Sequence, residues 1–222
     1  MKYYLNKTYK FLKLIGALFS LSIIQALPMI FLLLGNKYIS IAMSFVIITF
    51  MFVVYKKNNY SIENLNKDVI LYSISFILFA VVSLSIVSFV FNLTETTANQ
   101  KTIESLLNIS PIIVFINSVI IAPMIEEFIF RNLFFEFFLG NNYEKSQKLY
   151  MKSKRVWFSI MMTSIGFAVM HQITSISSFL IYMILGIGLA VIRAKSNKIE
   201  YSVASHMAWN TLVFIVMVIQ QF

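Results

Sequence analysis

The chain has 222 residues, 59% hydrophobic and 12% charged, with a mean hydropathy of +0.81, whereas a soluble domain carries about a quarter charged residues. This composition defines a membrane protein. Lys and Arg number 18 against 9 Asp and Glu, a net charge of +9, but they stand in short clusters between apolar runs of about 20 residues, as headgroup-facing residues do, and exclude a nucleic-acid partner. With no cysteine, disulfides, thiolate metal sites, a Cys nucleophile and Cys-borne lipid anchors are excluded. Asp68 is the only aspartate, and neither G-x-S-x-G nor H-E-x-x-H occurs.

In chain order, seven stretches are apolar and long enough to span: about 11–34, 38–55, 69–91, 111–139, 156–173, 177–192 and 201–220. The first follows Lys2, Lys7, Lys10 and Lys13 and resembles a signal peptide, but its apolar core exceeds the usual 7 to 15 residues, so it is expected to remain as an anchor. The third connection, 92–110, holds Glu95, Glu104, Thr and Asn and reads as an extracytoplasmic loop. The fourth stretch, about 43 Å long as a helix, exceeds the roughly 30 Å hydrocarbon core. It must tilt, kink or protrude, and Pro123 places the kink just before Glu126. The sixth is short and contains glycine. The expected fold is an all-α polytopic transmembrane bundle of about seven spans (six to eight), one integral-membrane domain over 1–222 without internal repeat.

Counting Lys and Arg orients the bundle. The N-terminus carries four, the second connection Lys56, Lys57 and Lys67, the fourth Lys145, Lys148, Lys152, Lys154 and Arg155, and the sixth Arg193, Lys195 and Lys198. The opposite side has only Lys37 and Lys101. Basic flanks are retained in the cytoplasm, so the N-terminus is expected inside and the C-terminus outside.

Glu126, Glu127, Arg131, His171, His206 and Asn210 lie within the spans, and Glu136 lies near a cytoplasmic end, where it is expected to be solvated. A charge at mid-bilayer costs at least about 2.5–3.5 kcal/mol, so these groups are expected to converge. Glu127 and Arg131, four apart, share a helix face as an ion pair, which leaves Glu126 about 100° away and without a helical partner. His206 and Asn210 repeat the spacing, as do Phe167 and His171. A carboxylate, two imidazoles and an amide around one cavity can polarise a water and stabilise an oxyanion. Glu126, His171 and His206 can equally ligate one divalent metal such as zinc, with an open fourth position. Spacing alone separates neither option from the other. Ser164, Ser177 and Ser178 have no assigned base and read as packing or loop residues.

Three patterns occur in order on separate stretches: Glu126-Glu127-x-x-x-Arg131, Phe167-x-x-x-His171 and His206-x-x-x-Asn210. Together they resemble the CPBP family of intramembrane proteases, also called the Abi or CAAX-protease-like family, over a catalytic core of about 112–214. The resemblance implies that Glu126 is the general base on water, that His171 helps to hold that water and that His206 and Asn210 serve the oxyanion. It also implies that Glu127 and Arg131 brace the fourth helix and that Phe167 supports the site. The family leaves the cofactor open between a divalent metal and none. Asn132 stands where the family often has glycine. The function implied is hydrolysis of a peptide or membrane-associated protein substrate near the cytoplasmic half of a bacterial plasma membrane, in bacteriocin self-immunity or peptide and pheromone processing. The rival readings are a non-catalytic immunity protein that occludes a bacteriocin receptor and a proton-coupled transporter. Membrane lipids are the other expected partners, and the oligomeric state is left open.

Overall fold

The computed structural model describes residues 2–60, 67–92, 96–140, 151–171 and 173–221, with side chains from residue 8 onward. Glu95, Lys145 and Lys148 lie outside the described residues, among which there are eight helices and no strand. They are α1 (Lys2–Leu33), α2 (Lys37–Lys57), α3 (Lys67–Phe91), α4 (Ala98–Leu107), α5 (Pro111–Leu139), α6 (Lys154–Val169), α7 (Ile176–Ser196) and α8 (Ile199–Gln221). All except α4 and α6 are long and apolar enough to cross a membrane, which gives six candidate spans. The chain is an integral, multi-pass membrane protein.

The spans differ in detail from the seven stretches. At 16 residues, α6 is about 24 Å long, short of the hydrocarbon core. The glycine-containing stretch is instead a 21-residue helix, α7. Its start is set by Ser175, whose side chain accepts from the Ser178 N–H at 3.0 Å. Its end runs past the apolar residues through Arg193 and Lys195 to Asn197, which closes it at φ 55. The connection expected at 92–110 is not simply a loop. It contains α4, whose N-terminus is capped by the Thr97 hydroxyl accepting from Gln100 N, and whose Leu106 and Leu107 pack with Val114 and Met217.

Burial ranks the spans. Of the most apolar window of each, 67% is buried in α5 and 56% in α7, against 11–28% in α1, α2, α3 and α8, so α5 and α7 form the interior and the others present apolar faces to lipid. α6 pairs with α7, α3 packs on α7 and α8, and the α1–α2 pair closes against α5. The α6–α7 contact depends on a small residue: a Cβ on Gly186 would stand 3.1 Å from the Ser164 Cα. Ser164 is a packing residue here, its hydroxyl bonded to the Ile160 carbonyl.

α5 is continuous, and its irregularity takes the form of two π-helical segments, Ile116–Ile121 and Phe128–Phe134, on either side of Glu126 and Glu127. Pro123 supplies a reason for the first. The Ala122 N–H bonds to the Asn117 carbonyl, five residues back. In that register the next donor would serve the Ser118 carbonyl, and it belongs to proline, which has none. Asn210 Nδ2 fills the gap, donating to the Ser118 carbonyl at 2.8 Å.

Candidate functional site

Axial distances show how three helices bring their polar residues to one level. Glu126 lies about 20 Å from the loop end of α5 and His206 about 10 Å from the start of α8, so α5 projects past the start of α8. His171 follows the early end of α6, in the turn before α7. Irregular backbone at membrane depth is tolerated where it lines a cavity, and His171 does line one.

Glu126 is held from a direction that the spacing did not reveal. Its Oε1 accepts from Gln25 Nε2 on α1 at 3.0 Å, so the carboxylate expected to lack a partner has one. Its Oε2 faces both imidazoles, 3.8 Å from His171 Nε2 and 3.9 Å from His206 Nε2.

The far side of each ring fixes its orientation. His171 Nδ1 lies 2.7 Å from the Phe167 carbonyl, and His206 Nδ1 lies 3.0 Å from Glu127 Oε1. A carbonyl and a carboxylate only accept, so both Nδ1 atoms carry hydrogen, and in the neutral rings both Nε2 atoms are lone pairs. Three acceptors thus converge: two imidazole nitrogens and one carboxylate oxygen. Such a group is complementary to a water being deprotonated or to a cation.

Glu127 has more than the ion-pair role that spacing gave it. Fully buried, it lies 3.3 Å from Arg131 Nε, accepts from the Ser202 hydroxyl and holds His206. Arg131, also fully buried, donates from Nη2 to the Gly186 carbonyl at 3.0 Å, and its guanidinium lies 4.6 Å from the Phe167 ring centre. Phe167 itself is buried between groups of the site, its ring 4.4 Å from His171 and 5.8 Å from His206. Tyr182 of α7, which carried no sequence signal, stacks on His171 at 4.3 Å and shares a 2.7 Å hydrogen bond with Thr97, the residue that caps α4. The structure therefore brings together all seven sequence-derived residues and adds Gln25, Ser202 and Tyr182.

Glu126, His171 and His206 are also the residues that would hold a metal. They are the right kind of donors, and the Nδ1 anchors match the support that metal-bound histidines receive. Their spacing is wide. Zinc with bonds of about 2.0–2.1 Å brings tetrahedral donors to about 3.3 Å of one another, and no group of three or more His, Cys, Asp or Glu among the described residues is placed to hold a metal ion.

On the loop side of this centre lies a second polar layer. Arg193, buried, donates from Nε to the Arg131 carbonyl at 3.1 Å and from Nη1 to Asn197. Glu136 and Glu200 act on it electrostatically, and Glu136 is itself half-buried where full exposure was expected. The Tyr60 hydroxyl donates to Asn132 at 2.5 Å, and burial beside Glu136 pushes it up to about 12.

A helical membrane bundle in which a carboxylate on an interior helix faces two imidazoles is an integral membrane protein with a polar intramembrane centre. Residues 108–212 match the family described as type II CAAX prenyl endopeptidase Rce1-like. Over this segment, just under half of its length, the chain is similar to the CPBP, or CAAX-protease-like, family. Over 121 residues it is 28% identical to "UPF0177 protein YvdC" of Lactococcus lactis subsp. lactis (strain IL1403), covering 54% of this chain and 41% of that one. Over 131 residues it is 27% identical to "Putative membrane peptidase YdiL" of Bacillus subtilis (strain 168), covering 59% and 48%. The chain thus spans less than half the length of each of these relatives. No solved structure matches it with significance.

Proposed function

We propose that this protein is an intramembrane peptidase of a bacterial plasma membrane, in which Glu126 activates a water against a peptide bond. The observation that carries this reading is the placement of Glu126: one oxygen is tied to Gln25, and the other meets two imidazole lone pairs on the floor of a cavity of about 520 Å³. A transporter carboxylate must alternate between partners, whereas this one is pinned for work at one point. The family match and the relative named as a membrane peptidase support the same class.

In the proposed reaction Glu126 takes one proton from water while the oxygen adds to the scissile carbonyl carbon. The C–N bond then breaks, and Glu126 returns the proton to the departing amine nitrogen. His171, fixed by the Phe167 carbonyl, accepts from the water and aims it. Asn210 uses one amide hydrogen on Ser118 and has a second for the oxyanion. For His206 to donate to the oxyanion its ring must carry both protons, and the Glu127 carboxylate against Nδ1 is the counter-charge that such a ring needs. Bacteriocin self-immunity and maturation of a secreted peptide are the biological settings proposed.

Proteoliposomes holding wild type or Glu126→Gln, with their metal content measured, should be given a peptide library and the new termini identified by mass spectrometry. Wild type should generate termini that the variant does not. Identical sets of termini would overturn the peptidase reading.

A further inference from the structure

We propose that the substrate reaches Glu126 from the extracytoplasmic side, as an extended peptide segment without charged side chains, through a mouth crossed by α4. This deepens the peptidase reading and rests on it for the word substrate. It reverses the cytoplasmic access that the sequence suggests.

The shape of the cavity is the first observation. Its lining runs along α1 from Leu18 to Met29, along α4, along α5 from Asn117 to Phe130 and along α8 from His206 to Met217, with Phe76 and Leu84 of α3 and Ile181 to Leu189 of α7 at its sides and Met29, Ile103 and Met217 farthest from Glu126. No lining residue on α5 lies beyond Phe130, none on α7 beyond Leu189 and none on α8 before His206. Glu126 and His206 therefore sit at the floor.

What lies beneath the floor is the second. Glu127 and Arg131 are fully buried, Arg193 and Asn132 almost so, and below them Phe135, Leu139, Val156 and Ile160 pack into a separate apolar cluster. Among the described residues this end is closed by the Arg193–Arg131 carbonyl and Tyr60–Asn132 hydrogen bonds. A route from that side would have to break a buried polar layer.

The third is charge. The sealed end is where α2 meets α3, α5 meets α6 and α7 meets α8, and with the N-terminus these junctions and the helix ends flanking them hold 15 of the 18 Lys and Arg. That asymmetry assigns the sealed end to the cytoplasm. The mouth is then extracytoplasmic, flanked only by Lys37 and Lys101.

The lining describes what enters. Among the described residues, Glu126 is its only Asp, Glu, Lys or Arg; Thr96, Thr97, Asn99 and Gln100 of the mouth supply neutral polar groups, and most of the remainder is apolar. Neutral donors and acceptors suit peptide amides, and apolar walls suit uncharged side chains. A cavity of about 520 Å³ lies within the usual range for ligand pockets. An anionic side chain seated there would be desolvated beside the like charge of Glu126, and a cationic one would find a counter-charge only at Glu126 itself. The Thr97 hydroxyl on Tyr182, which stacks on His171, ties the mouth to the floor.

The chain has no cysteine, so single cysteines can report access without background. Thr102→Cys marks the mouth, Ser22→Cys the cavity wall and Lys195→Cys the sealed end. A membrane-impermeant maleimide applied to intact cells should modify Thr102→Cys and Ser22→Cys but not Lys195→Cys, and inverted vesicles should show the reverse. Modification of Ser22→Cys only in inverted vesicles, or from neither side while Thr102→Cys reacts, overturns the proposed access. An added uncharged hexapeptide should slow Ser22→Cys labelling several-fold, and the same peptide with a central glutamate should not; equal effects, or none from either, overturn the substrate class. Labelling needs no turnover and should be the same in a Glu126→Gln background, so a failure of access is told apart from a failure of the peptidase reading.

Discussion

Gln25 Nε2 donates to Glu126 Oε1 at 3.0 Å, joining α1 to α5 across 101 residues of sequence. The Gln25 backbone carbonyl in turn accepts from Asn117 Nδ2 at 2.9 Å, within the first π segment. The first transmembrane helix, outside the segment that matches the family, thus aims the carboxylate. A hydrogen bond to a charged group is worth about 1.5–3 kcal/mol. Gln25→Leu should accordingly lower kcat by about tenfold or more with KM and abundance little changed, and Gln25→Asn should fall between. A proportional loss of KM affinity and protein level, with kcat intact, would show that Gln25 only packs.

Glu127 and Arg131 neutralise each other with no access to solvent. Removing one leaves a buried charge unpaired, at a cost of about 3–5 kcal/mol. Arg131→Ala and Glu127→Gln should both reduce the yield of folded protein in membranes and its melting temperature in detergent. Glu127→Gln should further lower specific activity in the fraction that folds, because it also loosens His206. Unchanged melting for both variants would contradict the structural role.

The α6–α7 contact offers a packing test in which no site residue is replaced. Gly186→Ala places a methyl 3.1 Å from the Ser164 Cα and 3.3 Å from its carbonyl oxygen. Backbone atoms cannot swing away, so the helices must part, at about 1–3 kcal/mol. A lower melting temperature is expected, together with a weakened Arg131–Gly186 hydrogen bond. A melting curve matching wild type would show that the pair is looser than its geometry states.

The chemistry of the site was legible where it obeyed helical spacing. Glu127 with Arg131, Phe167 with His171 and His206 with Asn210 each lie four residues apart, and that spacing survives as a shared face. Gln25 was not legible, because a glutamine in an apolar run has no spacing relation to a glutamate on another helix. The same is true of Ser202 and Tyr182. Helix α4 was hidden by its short length and largely polar composition, although Thr97 stood ready as a cap. The π segments of α5 left only Pro123 as a trace, and a proline does not tell a kink from a change of register.

Orientation carries the access argument and can be read separately. Reporter fusions at 148 and 195 should report the cytoplasm, and a fusion after residue 222 the outside. Accessibility of residue 148 only from outside would invert the whole arrangement.

The central claim is that Glu126 activates water, and turnover by Glu126→Gln tests it most directly. With a peptide that the wild type cleaves, the purified variant should bind with similar affinity and turn over at least about 10²-fold more slowly. His171→Ala should be comparably slow, and the double variant no slower than the singles, as for residues acting as one unit. Wild-type turnover by Glu126→Gln, or full biological function in cells expressing Glu126→Gln and His206→Ala at normal levels, would contradict the account and leave a binding protein in its place.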